Sequence, residues 1–119
     1  MLSLHWFKCG KAPNNNWCNF DNLNLTTVTE AGVYVIWHHG NPSHTVYVGQ
    51  GSPIADRIAK HRTDARITAY RNKGMSVTWA TVPAAQRDGV ERYLADLLDP
   101  LVGDAHPNVL PIAVNSPFG

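Results

Sequence analysis

Residues 32–61 of the chain read GVYVIWHHGNPSHTVYVGQGSPIADRIAKH, and this stretch decides the predicted fold. It has two runs of β-favouring residues on either side of Gly40-Asn41-Pro42, a pattern that predicts a β-hairpin. If the turn is centred between Gly40 and Asn41, Tyr34 lies directly opposite Tyr47 on one face of the sheet. A shift of one residue would place the two rings on opposite faces, so this prediction depends on the register.

A helix is predicted directly after the hairpin. Residues 49–51, Gly-Gln-Gly, free the backbone for a sharp turn, after which Ser52 is the predicted N-cap and Pro53 the first helical residue. Arg57 and His61 are spaced i and i+4, so they lie on the same face of this helix. The sequence that follows leaves open whether one helix continues or a second helix begins.

The remaining pattern adds one strand and one helix. Residues 75–82 alternate in character and predict a third strand, and residues 90–98 carry apolar side chains at helical spacing. We therefore expect an α+β fold in which a small three-stranded antiparallel or mixed sheet is flanked by helices. Residues 31–119 form this domain, and residues 1–30 form an irregular N-terminal arm whose aromatic side chains pack against it.

The composition is that of one globular domain. The chain has 119 residues, of which 44% are hydrophobic and 16% are charged, and these values argue against disorder. No apolar run approaches the roughly 18 residues that span a bilayer, and the N-terminus lacks the pattern of a secretion signal. We therefore expect a cytoplasmic protein without membrane contact. Cys9 and Cys18 match no common zinc spacing with His5, so we expect two free thiols.

Basic residues are concentrated in one part of the chain, although the formal net charge is only +1. Six of the ten Lys and Arg residues lie between positions 57 and 73: Arg57, Lys60, Arg62, Arg66, Arg71 and Lys73. A local basic stripe on a nearly neutral protein indicates an anionic partner at one face. Taken alone, the same stripe also fits an ordinary solvated helix face.

A set of residues spread over about two thirds of the chain resembles the GIY-YIG nuclease superfamily. The set consists of Gly32-Val33-Tyr34, Tyr47-Val48-Gly49, Arg57, His61 and Glu91. Each tripeptide alone is common in strands, and the resemblance depends on the order of all five elements and the secondary structure on which they lie. It implies a small sheet with helices, in which both tyrosines, Arg57, His61 and Glu91 converge on one cleft on a single sheet face.

The resemblance also implies a role for each residue. Glu91 would be the protein ligand of one Mg²⁺ or Mn²⁺ ion, and Arg57 would hold the scissile phosphate. Tyr34 and Tyr47 would help activate a water molecule, and His61 would contact phosphate or relay a proton. The bland alternatives are two tyrosines packed in the core, a solvated arginine, and an ion pair of Glu91 with the residue one turn before it.

Further contacts to nucleic acid are expected outside these five residues. We expect Gly32 and Gly49 to keep the sheet surface clear for the substrate, and the basic residues Lys60, Arg62, Arg66, Arg71 and Lys73 to bind phosphates. Many members of the superfamily carry an asparagine soon after the glutamate helix. Here Gly103 stands near that position, and the sequence does not decide whether Asn108 or Asn115 takes its place.

These inferences predict a metal-dependent endonuclease that acts on DNA. Because 119 residues leave no room for a separate recognition domain, we expect weak sequence preference or structure selectivity. A catalytically inactive nucleic-acid-binding or regulatory module on the same fold is the main alternative, and a small interaction protein with core tyrosines is the third. A recruiting or inhibitory protein partner is compatible with the first two. Repair, mobile-element, restriction and toxin roles are not separated by the sequence.

Overall fold

A four-stranded antiparallel sheet lies at the centre of the computed structural model, counted over the residues that the structure describes, 1–10, 16–103 and 105–119. Its strands are β1 (Cys18–Asn19), β2 (Gly32–His38), β3 (His44–Gly51) and β4 (Met75–Thr81), in the order β1-β4-β2-β3. The α+β class is confirmed, but the predicted number of three strands is wrong. The additional strand, β1, has two residues, which is too short to show an alternating pattern.

The pairing of β2 with β3 differs from the predicted register. Tyr34 pairs with Gly49, and Tyr47 pairs with Ile36. His38 pairs with His44, one residue away from the predicted register, and β3 contains one extra residue opposite the step from Ile36 to Trp37. The two tyrosines are therefore displaced by two positions from direct opposition. Because side chains alternate with a period of two along a strand, a displacement of two keeps both rings on the same face.

Helices follow the hairpin and the last strand. They are α1 (Ile54–His61), α2 (Ala65–Thr68) and α3 (Ala84–Leu98), with 3-10 turns at Leu25–Thr27 and Arg71–Lys73. Pro53 occupies the N-cap of α1, so the prediction of Ser52 as N-cap is wrong. A second helix does begin after α1, because the Asp64 side chain accepts a hydrogen bond from the Arg66 backbone N–H and caps α2.

Each face of the sheet is covered by a different helix. Tyr34 and Ile36 of β2 pack with Ile58 of α1 in one core, whereas Val35 of β2 packs with Leu94 of α3 in the other. Every residue of β2 is buried, as expected for a central strand covered on both sides. Within the described residues, none of the helices has the length and apolar character needed to cross a membrane.

The N-terminal segment is attached to this body through its aromatic residues. Phe7 stacks on Trp79 with ring centroids 5.4 Å apart, and the Phe7 N–H donates to the Trp79 carbonyl. Trp6 and Phe20 are buried, one in each core. The expected packing of the aromatics is therefore present, although part of this segment is a strand of the sheet.

Cys9 and Cys18 form a disulfide, so the expectation of two free thiols is wrong. The Cys9 N–H donates to the carbonyl of Asn16, and the two cysteine Cα atoms lie 4.9 Å apart, within the range that a disulfide spans. The spacing of the cysteines along the sequence does not predict that they lie close together in the folded chain. The disulfide joins the N-terminal segment to β1 at the edge of the sheet.

Candidate active site

Tyr34 lies at the centre of a buried cluster beneath the candidate site. Its side chain is fully buried, and its ring stacks on that of Tyr47 with centroids 6.1 Å apart. The Arg57 guanidinium donates a hydrogen bond to the Tyr34 hydroxyl oxygen, and this oxygen lies 2.6 Å from Nε2 of His61. Because arginine can only donate, the tyrosine oxygen accepts that bond and keeps its proton available for His61.

The surroundings of Tyr34 favour its neutral form. Burial raises the pKa of Tyr34 well above its usual range, and this effect exceeds the opposing one of the Arg57 hydrogen bond. A phenol that stays protonated at neutral pH does not serve as a base. Tyr34 therefore acts on the site by holding Arg57 and His61 in place.

Tyr47 is the tyrosine that reaches solvent-accessible space. It lines a cleft of about 580 Å³ next to the edge strand β3. Its ring lies 4.3 Å from the His61 ring, and its side chain also accepts a hydrogen bond from Arg57. The two tyrosines therefore share a face and a neighbour, but only Tyr47 borders the cleft.

His61 lies behind the tyrosines, away from the lining of the cleft. It is the last residue of α1 and is only 6% exposed. Its contacts run to Tyr34 and Tyr47, which makes it a support for both rings. The structure brings His61 into the cluster, but this side chain is buried and does not line the cleft where a phosphate would bind.

Arg57 brings a positive charge to the cleft from α1. Its pKa is raised chiefly by the hydrogen bond to Tyr34, so the guanidinium is firmly charged. Its Nε atom is buried and has no hydrogen-bond partner in the described part of the chain. A buried donor without a partner is costly, so Arg57 has an unsatisfied hydrogen-bond donor next to the cleft.

Glu91 borders the same cleft from α3 and is 8% exposed. Its Oε1 accepts a hydrogen bond of 3.0 Å from Nε2 of Gln50, and its Oε2 lies 2.8 Å from Nδ1 of His106. Nε2 of Gln50 also donates to Asp88, at 2.7 Å. The alternative of an ion pair with Arg87 is not what the structure has, because the Arg87 Nε donates to the Val82 carbonyl.

The predicted single face is wrong for Glu91. The tyrosines and Arg57 belong to the sheet face covered by α1, whereas α3 packs on the opposite face. Glu91 nevertheless borders the same cavity as Tyr47 and Arg57, because β3 is an edge strand and the cleft passes around it. The cleft is thus built from both sides of the sheet.

Two other residues of the cleft, Gln50 and His106, carry no pattern in the sequence that predicts a place in the site. Gln50 stands between two glycines, and His106 lies in an irregular tail 15 residues beyond Glu91. Neither candidate asparagine contacts Glu91: Asn108 is exposed, and Asn115 exchanges hydrogen bonds with the backbone of Leu4. The tail residue next to the glutamate is therefore a histidine.

The space beside each of the two glycines is occupied by other parts of the protein. Gly49 lies across from Tyr34, and a Cβ atom there would stand 2.5 Å from the Tyr34 hydroxyl oxygen and 2.8 Å from the Tyr47 ring. At Gly32 a Cβ atom would lie 2.6 Å from the backbone nitrogen of Val82. Both glycines make room for other parts of the protein, although Gly49 also borders the cleft.

Most of the basic stretch is engaged within the protein. Arg62 donates to two backbone carbonyls of the N-terminal segment, and burial lowers its pKa. Arg66 pairs with Asp64 and Arg71 with Asp21, each at 2.8 Å. Lys60 and Lys73 are exposed, and the described residues offer neither of them an ion pair. None of these five residues lines the cleft.

Metal-binding capacity at the cleft rests on a single carboxylate. Over the described ranges, no group of three or more His, Cys, Asp or Glu side chains is arranged to hold a metal ion. Comparison with known proteins finds no family model, no curated protein and no solved structure that matches this chain.

Proposed function

We propose that this chain is a divalent-metal-dependent endonuclease of the GIY-YIG type that hydrolyses phosphodiester bonds of DNA. One observation carries the proposal: side chains of Tyr47, Arg57 and Glu91, from three separate elements, line one cleft. A phenol, a guanidinium and a carboxylate are suited to activating water, holding a phosphate and holding a metal ion.

The environment of Glu91 is compatible with one hydrated Mg²⁺ or Mn²⁺ ion. Each carboxylate oxygen accepts one hydrogen bond, from Gln50 or from His106. A carboxylate offers about four lone-pair positions, so both oxygens retain capacity toward a hard cation. Glu91 would hold the ion, which would supply charge stabilisation and a more acidic bound water.

The protein's own residues would divide the remaining tasks. Arg57 would bind the scissile phosphate and stabilise the charge that develops on it, since no acidic side chain in the described residues neutralises the guanidinium. Tyr34 holds Arg57 from behind through its hydroxyl oxygen. The Tyr47 hydroxyl would take the proton of the attacking water, because it borders the cleft and lies beside the charged Arg57.

A second candidate is a nucleic-acid-binding module without catalysis. The observation that favours it is the engagement of both Glu91 oxygens by side chains of the protein itself, Gln50 and His106. In that case the carboxylate would serve only to hold the tail against α3.

A cleavage assay on supercoiled plasmid with Mg²⁺ or Mn²⁺ separates the two. We expect nicking by the wild type that EDTA abolishes, with weak dependence on DNA sequence. Glu91→Gln should reduce the rate on the order of 10²-fold or more, while DNA binding in EDTA stays within about twofold. Asp96→Asn is the matched control, since this carboxylate lies on the same helix and pairs with Arg92.

Three outcomes decide between the candidates. Full activity of Glu91→Gln, or wild-type cleavage that survives EDTA, would refute the metal-dependent nuclease. A wild type that binds DNA without cutting it would support the binding module.

A further inference from the structure

The arginines of this chain differ in whether an acidic side chain neutralises them. Away from the cleft, Arg66 pairs with Asp64, Arg71 with Asp21 and Arg92 with Asp96, whereas Arg62 donates to backbone carbonyls. The two that line the cleft, Arg57 and Arg87, have no ion pair with any acidic side chain of the described residues. The cleft therefore carries two guanidinium groups that no acidic side chain of the described residues neutralises.

The guanidinium of Arg87 is anchored to the protein backbone by a hydrogen bond. It lies on α3, one turn before Glu91, and its Nε donates to the Val82 carbonyl at 2.8 Å. This bond uses the inner nitrogen of the guanidinium and leaves the two terminal nitrogens for another acceptor. A half-buried, anchored guanidinium loses little side-chain entropy when it binds an anion.

The charge balance of the cleft favours an anionic ligand. The two arginines contribute two positive charges, against one negative charge from Glu91. The cavity of about 580 Å³ lies within the range of roughly 300–1,000 Å³ typical of small-molecule sites, so it has room for more than a single phosphate group. Arginine is the residue best matched to phosphate oxygens, because its planar fork donates two parallel hydrogen bonds.

We propose that Arg87 is a second phosphate-binding residue of this cleft. It acts together with Arg57 on the phosphodiester backbone of the ligand and reads no base. This inference rests on the proposed function for the identity of the ligand, but binding through Arg87 does not require that the ligand be cut.

The test compares Arg87→Gln with Arg92→Gln in DNA binding. Glutamine carries a nitrogen donor at the same position along the side chain as arginine Nε, so Arg87→Gln keeps a donor for the Val82 carbonyl and removes the charge. Arg92→Gln makes the same change on the same helix at a residue that pairs with Asp96 outside the cleft. Binding of a labelled DNA duplex is measured by fluorescence anisotropy in EDTA at several salt concentrations, with a melting curve for each variant.

We expect Arg87→Gln to bind about tenfold more weakly and its salt slope to fall by about 0.9, the value for one lost phosphate contact. Arg92→Gln should change affinity less than about twofold. Arg87→Lys keeps the charge and should retain most of the slope. Equal effects of Arg87→Gln and Arg92→Gln would overturn the inference, as would a wild type that does not bind DNA.

A parallel wild-type cleavage assay with Mg²⁺ separates this inference from the proposed function. Cleavage by the wild type together with normal DNA binding by Arg87→Gln would refute the role of Arg87 and leave the nuclease intact. Binding that depends on Arg87 without any cleavage would refute the nuclease and support the phosphate contact.

Discussion

Tyr34 pairs with Gly49 across β2 and β3, and its hydroxyl oxygen occupies the space that a side chain at position 49 would need. The relationship explains why a fully buried phenol can lie at the base of the cleft and still contact Arg57 and His61. Tyr47 then lies above it in a stacked arrangement and borders the cleft. The geometry of the candidate site thus depends on the absence of one Cβ atom.

Gly49→Ala should destabilise the protein and disturb both tyrosines. The new Cβ would stand 2.5 Å from the Tyr34 hydroxyl oxygen, in a part of the core where the neighbouring atoms have little room to move. Overpacking of this kind costs about 1–3 kcal/mol of unfolding free energy, which denaturant titration measures. Gly103→Ala is the control, because its Cβ would make only an ordinary contact of 3.4 Å with His106. An unchanged stability of Gly49→Ala would contradict this account of the packing.

Tyr34→Phe and Tyr47→Phe should have different consequences. Removal of the Tyr34 hydroxyl deletes the buried hydrogen bonds that it makes with His61 and Arg57, so we expect a loss of about 1–3 kcal/mol in stability. Tyr47→Phe should instead slow plasmid cleavage by roughly 10²-fold or more, because the removed hydroxyl is the proposed proton acceptor. Melting curves and cleavage rates are measured for both variants. Cleavage by Tyr47→Phe at the wild-type rate would exclude the proposed role of Tyr47.

The raised pKa of Tyr34 predicts a loss of stability at alkaline pH. The unfolded chain releases the Tyr34 proton near pH 10, whereas the folded protein retains it. Above that pH the unfolded state binds fewer protons than the folded state, so the free energy of unfolding falls as pH rises. Tyr34→Phe should show a shallower decline between pH 9 and 11, a range set by the ordinary tyrosine pKa of about 10. Tyr93→Phe removes the hydroxyl of a tyrosine of α3 that packs against the other core, and it serves as the control. Parallel curves for wild type and Tyr34→Phe would contradict the prediction.

The disulfide should make stability sensitive to reductant. The two cysteines are separated by nine positions, and the chain-entropy relation for a loop of this size gives about 2–3 kcal/mol. Dithiothreitol should therefore lower the melting temperature of the wild type. Cys9→Ala removes the bond at its exposed end and spares the buried Cys18, so its lower melting temperature should not respond to reductant. A wild type that melts at the same temperature in both conditions would show that the bond contributes nothing.

Local patterns in the sequence were sufficient for most of the regular structure. Strands β2, β3 and β4 and helix α3 follow from alternation and helical spacing, which report side-chain periodicity within one segment. The predicted register failed because the pairing of His38 with His44 at the turn and the extra residue in β3 are properties of the pair of strands, and neither strand shows them alone. The tyrosines kept their shared face only because the displacement was two residues.

The sequence by itself determined the class of the fold and the chemical types of side chain at the candidate site, since these depend on residue identity and short-range order. The tertiary structure alone decided which of them border the cleft: Tyr47 does, whereas Tyr34 and His61 lie behind it. It also brought His106 to Glu91. Contacts of this kind join segments that share no periodicity, so they depend on the arrangement of the elements in space, in which β3 lies at the edge of the sheet.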